Sequence, residues 1–124
     1  MNDNLPAVAY FCMEYGLSTD FKMYAGGLGI LAGDYLKGAK DCGLPIIGVG
    51  LKWKQGYVDQ LIGKDDKPFD SYHNYSYDFL LDTGVKVTVN IRQGDVVCKV
   101  WKVNAFGNAD IYLLDTDLPE NEDA

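Results

Sequence analysis

The sequence predicts an α/β fold in which a parallel βαβ unit is followed by an antiparallel β section. Residues 7–13 and 45–51 form two continuous apolar stretches, and the segment between them carries apolar residues at helical spacing. Further along, residues 85–91 and 96–103 alternate between apolar and polar side chains on either side of a Gln-Gly-Asp turn. Continuous apolar strands joined by a helix are typical of parallel sheets, whereas alternating strands joined by a short turn are typical of hairpins.

The first predicted strand, residues 7–13, is apolar throughout, which predicts a strand buried on both faces. Glu14 follows at its carboxyl end, the edge at which open α/β sheets place functional groups. Two roles are open to this carboxylate. It can support the glycine-rich loop that follows, or it can form a purely structural bond with a backbone donor or with Lys22.

A glycine-rich loop comes next, made of Gly26, Gly27, Leu28 and Gly29, with Tyr24 two positions upstream. Because glycine has no Cβ, backbone N–H groups can approach a ligand closely, and the first N–H groups of a helix beginning near Leu28 point at the same place. Anions and sugar oxygens suit such a pocket. The alternative is a tight strand-to-helix turn without a ligand, since a lone glycine-rich loop is a weak motif.

The predicted helix begins near Leu28, and Gly43 followed by Pro45 ends it. Asp34 is expected to be a solvated residue of this helix rather than a catalyst. Residues 45–51 then form a second buried strand and complete a right-handed parallel crossover. The apolar helix residues are expected to pack on the sheet, and they are Leu28, Leu31, Tyr35, Leu36 and Ala39.

Two later segments carry aromatic and polar residues together. The first suits either a sugar site or the cap of a sheet edge, and residue types alone do not decide between these roles; its residues are Trp53, Gln55, Tyr57 and Gln60. His73 is the only histidine and has no cysteine nearby, so a structural role is expected and a metal site is not. Residues 111–114 form another short apolar strand ahead of an acidic end.

The composition argues against several classes of function. Eleven basic and eighteen acidic residues give a net charge of −7 without a basic cluster, so neither nucleic acid nor an anionic membrane is an expected partner. Three cysteines without CxxC spacing favour a reducing cytoplasm over an oxidised scaffold. No apolar stretch predicts a membrane span, and the first residues lack the layout of a signal peptide.

Five blocks of the sequence stand in a characteristic order, and they are residues 9–17, 24–37, 43–45, 48–51 with 55–57, and 112–121. Together they resemble the opening part of bacterial α-glucan phosphorylases, the family of glycogen, starch and maltodextrin phosphorylases. On this resemblance, residues 1–124 are a single incomplete domain of the shorter bacterial type, without the long regulatory N-terminal extension of animal glycogen phosphorylase. That domain is expected to be part of the Rossmann-like N-terminal half of a two-domain GT-B glycosyltransferase fold.

The resemblance implies a reaction as well as a fold. Phosphorylases of this family use inorganic phosphate to release glucose 1-phosphate from the end of an α-1,4-glucan, and they use pyridoxal phosphate as cofactor. The cofactor lysine and the phosphate clamp belong to the C-terminal domain, which this chain does not contain. No cofactor is therefore expected here, and the isolated chain is expected to be inactive.

The resemblance also assigns residues of this chain to the site. Phosphate and glucosyl contacts are expected in the loop Gly26–Gly29, at the backbone N–H groups of Gly27 and Leu28. Supporting roles are expected for three further residues, and no residue of the chain is expected to be catalytic. The three supporting residues are Glu14, Tyr24 and Gln55.

Two other hypotheses stay open. A glycogen or starch synthase also has a glycine-rich loop in its first domain, but such enzymes usually place a lysine before the glycines, where this chain has Tyr24 and Ala25. A stand-alone sugar-binding or interaction module would have a complete sheet and a closing terminal helix, whereas this chain ends on an acidic stretch. A half-domain would expose sheet edges and an apolar face, which favours a homodimer or a strand-swapped oligomer.

Overall fold

The computed structural model describes residues 5–18, 21, 23–52, 59–62, 68–71 and 79–121. These residues form seven strands, one α-helix and one short 3-10 helix. In chain order the elements are β1 (Val8–Phe11), α1 (Gly27–Cys42), β2 (Ile46–Leu51), β3 (Asp59–Ile62), β4 (Pro68–Ser71), β5 (Leu81–Ile91), β6 (Gly94–Val103), β7 (Ile111–Asp115) and the 3-10 helix Pro119–Asn121.

Five strands form one mixed sheet in the order β1-β2-β7-β6-β5, and β3 and β4 form a separate antiparallel pair. β1, β2 and β7 are parallel to one another, while β6 is antiparallel to both of its neighbours. The predicted βαβ unit and the predicted hairpin are both confirmed. The fold is therefore α/β with an antiparallel section, and β7 joins the two parts.

Tyr15 anchors the start of the connection between β1 and α1 on the sheet. Its hydroxyl lies 2.7 Å from the carbonyl oxygen of Tyr10 and 3.1 Å from that of Val49, so its single proton is shared between β1 and β2. The ring fits because β2 has glycines beneath it: a Cβ at Gly48 would lie 3.0 Å from the Tyr15 hydroxyl, and one at Gly50 would lie 2.9 Å from the ring. Burial raises the pKa of Tyr15 well above its usual range.

The helix packs on the sheet through a different face from the one predicted. Leu28, Leu31 and Tyr35 are between 45% and 63% exposed, so their predicted burial is wrong. The buried residues of α1 are mostly small, and only Leu36 and Ala39 of the predicted face are among them. The buried set is Gly29, Ala32, Gly33, Leu36 and Ala39.

The reason is the close approach of the connection after β1 to the helix backbone. The Gly16 N–H donates to the Gly29 carbonyl at 2.7 Å, and a Cβ at Gly33 would overlap the backbone of Gly16. Larger side chains do not fit at this contact, so the leucines turn outwards. The end of α1 is as predicted, because Gly43 takes the left-handed conformation (φ 65°) that closes many helices.

The opposite face of the sheet carries apolar side chains that no described element covers. Phe11 is 75% exposed, and Ile47 and Leu51 of β2 are exposed beside it. The prediction that the first strand is buried on both faces is therefore wrong for the described part of the chain. We call Phe11, Ile47 and Leu51 the helix-free face, since α1 lies on the other side.

Candidate functional site

The glycine-rich loop lies at the carboxyl end of β1, where Glu14 reaches it. The Glu14 Oε2 atom accepts a hydrogen bond from the Ala25 N–H at 2.8 Å and a longer one from the Gly26 N–H at 3.4 Å. This is the loop contact that the sequence left open for Glu14. Its alternative partner, Lys22, lies outside the described residues.

The helix begins directly behind the loop without a cap from a side chain. Gly26 is the N-cap residue and has no side chain with which to cap the helix, and the first turn holds no acidic residue. The Gly26 carbonyl accepts from the N–H groups of Gly29 (3.1 Å) and Ile30 (3.3 Å). Within the described part of the chain, the N–H groups of Gly27 and Leu28 have no acceptor.

The glycines of the loop are present for two different reasons. A Cβ at Gly29 would lie 2.5 Å from the Tyr24 Cβ and 2.8 Å from the Glu14 Oε2, so packing requires glycine there. A Cβ at Gly26 or Gly27 would meet nothing within 4 Å. Gly26 also has an extended backbone (φ −151°, ψ −159°) that any residue can adopt. Neither packing nor conformation requires glycine at position 26, whereas an external group that approaches the backbone would explain it.

At the glycine-rich loop, the favourable electrostatic potential for an anion comes from the backbone. Residues 24–29 carry no charged side chain, and the aligned peptide dipoles of α1 place a partial positive charge at Gly27. Two unsatisfied N–H groups at a helix start can bind an anion or a developing negative charge on oxygen. The carboxylate of Glu14 contacts the loop and adds a negative charge beside it.

The predicted site residues thus come together in part. Glu14 and Tyr24 both contact the loop: Glu14 through hydrogen bonds and Tyr24 through its packing against Gly29. Gln55 and His73 lie outside the described residues. Asp34 is exposed on α1, as expected of a solvated helix residue.

A second polar cluster, which the sequence did not indicate as a site, lies at the carboxyl end of β7. The buried Asp115 accepts a hydrogen bond from the Trp101 Nε1 at 3.0 Å and one from the Asp117 N–H at 3.0 Å. The Lys52 Nζ lies 4.0 Å from the same carboxylate. The only signal in the sequence was an acidic residue ending an apolar strand, and the tryptophan partner comes from β6. These contacts stabilise the sheet and the turn that follows β7.

The described residues contain no group of three or more histidine, cysteine, aspartate or glutamate side chains placed to hold a metal ion. No helix among them has the length and apolar character that crossing a membrane requires.

No protein-family model matches the chain, but curated proteins do. A maltodextrin phosphorylase of Thermococcus litoralis is 40% identical over 122 residues, which cover 92% of this chain and 15% of that protein. A glycogen phosphorylase of Mycobacterium tuberculosis is 39% identical over 124 residues, covering 93% of this chain and 14% of that protein. An uncharacterized protein of Methanocaldococcus jannaschii is 44% identical over 117 residues, covering 93% of this chain and 22% of that protein.

These matches confirm the resemblance predicted from the five sequence blocks. Proteins named glycogen or maltodextrin phosphorylase are homologous to nearly the whole of this chain. The chain spans only 14% to 22% of the length of the curated relatives described above.

Proposed function

We propose that this chain is the N-terminal portion of an α-1,4-glucan phosphorylase and forms one wall of its active site. The complete enzyme would transfer a terminal α-1,4 glucosyl unit to inorganic phosphate and release glucose 1-phosphate. Support comes from relatives named glycogen phosphorylase and maltodextrin phosphorylase that match over 92% to 93% of this chain. Residues 1–124 would then be an incomplete first domain of a GT-B fold.

One observation carries the assignment of the site. The N–H groups of Gly27 and Leu28 have no acceptor in the described part of the chain, and the space around Gly26 and Gly27 is open. A phosphate oxygen can accept from both N–H groups, and the dipole of α1 favours its charge. The same donors would stabilise negative charge that develops on oxygen during the transfer.

The cofactor of such an enzyme would be bound elsewhere. None of the six described lysines supports a pyridoxal phosphate site at the loop: Lys40 lies in the last turn of α1, at the opposite end of the helix from the loop, and the other five are held by other groups. Lys37 donates to the Leu17 carbonyl at 2.7 Å, and four others lie in ion pairs. Those four are Lys52, Lys86, Lys99 and Lys102. We propose that the cofactor lysine belongs to a part of the enzyme beyond this chain.

Two assays test the proposal. The isolated chain, incubated with maltodextrin, phosphate and added pyridoxal phosphate, should release no glucose 1-phosphate, because it holds only one wall of the site. A chimera in which this chain replaces the aligned segment of the Thermococcus litoralis relative should release it. Turnover by the isolated chain would contradict the first statement, and a folded but inactive chimera would contradict the second.

The same chimera separates phosphorylase from synthase. A phosphorylase uses inorganic phosphate and glucose 1-phosphate, whereas a glycogen or starch synthase uses a nucleotide sugar. We expect glucan elongation from glucose 1-phosphate and none from a nucleotide sugar.

We also propose that the isolated chain forms a homodimer or a strand-swapped oligomer in a cytoplasmic environment. The support is the exposed helix-free face, together with the outer edges of β1 and β5, which have no partner strand among the described residues. Its three cysteines are free thiols, which suits a reducing compartment.

A further inference from the structure

We propose that Glu14 is a positioning residue that divides the N–H groups of the glycine-rich loop between the protein and its ligand. Its carboxylate holds the N–H groups of Ala25 and Gly26, and those of Gly27 and Leu28 remain for an anionic oxygen. This inference rests on the proposed function, which supplies phosphate as the ligand.

Six consecutive N–H groups, from Ala25 to Ile30, lie in the loop and the first turn of α1, and they differ in their acceptors. The first two donate to one oxygen of Glu14, at 2.8 Å and 3.4 Å. The last two, from Gly29 and Ile30, donate to the carbonyl of Gly26. The middle two have no acceptor in the described part of the chain, so a ligand can take those two without competing with the protein.

Glu14 can direct the loop because its own position is fixed by its neighbours. Tyr15 is fully buried and its hydroxyl bonds to the carbonyls of β1 and β2, and Gly16 donates to the Gly29 carbonyl at 2.7 Å. The carboxylate also fills the space beside Gly29, where a Cβ would lie 2.8 Å from Oε2. The loop is thus held at a set distance from the carboxyl edge of the sheet.

The negative charge of Glu14 disfavours an anionic ligand at the loop, although the hydrogen bonds of Glu14 leave two N–H groups available to that ligand. A carboxylate beside the start of α1 offsets the dipole and repels a phosphate at Gly27 and Leu28. Glutamine keeps an oxygen that accepts from Ala25 but has no charge, whereas alanine removes both. Positioning and charge can therefore be separated by comparing Glu14→Gln with Glu14→Ala.

The test uses the ¹⁵N-labelled chain, NMR-detected amide exchange and titration with inorganic phosphate. In the wild-type chain the Ala25 and Gly26 amides should be protected, and phosphate should shift the Gly27 and Leu28 resonances. Glu14→Ala should speed exchange at Ala25 and Gly26 by roughly tenfold, the loss of one net hydrogen bond. Glu14→Gln should keep most of the protection and bind phosphate roughly threefold more tightly, since a screened charge is removed.

Asp34→Asn is the matched control, because it removes an exposed negative charge from α1 without touching the loop. It should change neither the exchange nor the loop shifts. If Glu14→Ala fails to fold, Glu14→Asp, whose shorter carboxylate cannot reach both N–H groups, should give the same gain in exchange. Amides of β7 report whether each variant is folded.

The outcomes separate this proposal from the proposed function. Unchanged exchange at Ala25 and Gly26 in folded Glu14→Ala or Glu14→Asp would overturn the role of Glu14. Shifts at Ala25 and Gly26 instead of Gly27 and Leu28 would overturn the division of the N–H groups. Protection by Glu14 without any phosphate shift would support the positioning and contradict phosphate as the ligand, which is the failure of the proposed function.

Discussion

The side-chain amide of Asn121 pairs with the backbone of Val97 as a neighbouring strand would. Its Oδ1 accepts from the Val97 N–H at 3.0 Å, and its Nδ2 donates to the Val97 carbonyl at 2.7 Å. The last β7 residue paired with β6 is Asp115, opposite Lys99, so β6 extends past its partner at Val97. Asn121 therefore satisfies backbone groups that the sheet leaves open.

Asn121→Ala should lower the free energy of unfolding by about 1–3 kcal/mol, because it removes these bonds and leaves two partly buried backbone groups unsatisfied. Urea denaturation of the variant and the wild-type chain measures the difference. Asn90→Ala, which removes an exposed amide bonded to Asp95, is the control and should cost far less. Equal losses in the two variants would contradict the strand-like role.

The two kinds of glycine in the loop predict opposite effects on stability. Gly29→Ala should destabilise the chain by about 1–3 kcal/mol, because the added methyl group overlaps Tyr24 and Glu14. Gly27→Ala should be neutral or stabilise by up to about 1 kcal/mol, since the space is open and alanine favours the helix. Thermal unfolding of both variants tests this, and a loss in Gly27→Ala as large as that in Gly29→Ala would contradict it.

Because the phenol of Tyr15 is buried, we expect the folded chain to lose stability at alkaline pH. Its native pKa is raised by burial, so the folded chain keeps the phenol proton at pH values where the unfolded chain loses it. The corresponding stability is complete below the ordinary tyrosine pKa of about 10 and falls as the pH rises above it. Urea midpoints between pH 8 and 11 should therefore fall more steeply for the wild-type chain than for Tyr15→Phe.

Tyr35→Phe is the control for this experiment, because Tyr35 is 45% exposed and its phenol reaches solvent. Its pH dependence should follow the wild-type chain. Tyr15→Phe should also cost about 1 kcal/mol at neutral pH, through the lost bonds to β1 and β2. Parallel curves for the wild-type chain and Tyr15→Phe would show that the buried phenol is not the cause.

The helix-free face predicts self-association. Phe11→Glu should shift the chain from oligomer to monomer in light scattering, since it places a charge in the exposed apolar surface. Leu31→Glu is the matched control, because Leu31 is 63% exposed on the outer side of α1. A wild-type chain that is monomeric at all concentrations would contradict the prediction.

Local patterns in the sequence predicted α1 and the five strands of the main sheet, but not all of the pairings between those strands, and they did not predict the β3–β4 pair. The βαβ unit and the β5–β6 hairpin follow from apolar periodicity and turn residues. The parallel pairing of β7 with β2 does not, because it depends on contacts between residues far apart in the chain, such as Gly48 with Ile111. For the same reason the pattern showed that Asp115 ends a strand and did not reveal its bond to Trp101.

The wrong prediction about α1 shows where periodicity fails. Large apolar residues were expected to face the sheet, but Gly16 approaches the helix backbone so closely that Gly29 and Gly33 occupy that face. The glycines themselves were the visible signal of a close contact. At the site, the position of Glu14 after a strand allowed the loop contact as one of two roles, whereas the availability of two N–H groups follows only from the complete set of bonds.

If backbone N–H groups at the start of α1 bind the phosphate of a phosphorylase, one pair of variants should show it in the kinetics. In the chimera with the Thermococcus litoralis relative, Gly27→Pro removes one of these N–H groups, and a proline suits the first position of a helix behind the extended Gly26. Gly27→Ala keeps the N–H group and adds the smallest side chain.

The measurement is kcat/KM for phosphate in the release of glucose 1-phosphate from maltodextrin. Gly27→Pro should lower kcat/KM about 100-fold, the usual loss when one preorganised donor is removed, and Gly27→Ala should lower it far less. A folded Gly27→Pro chimera that works as well as Gly27→Ala would contradict the claim.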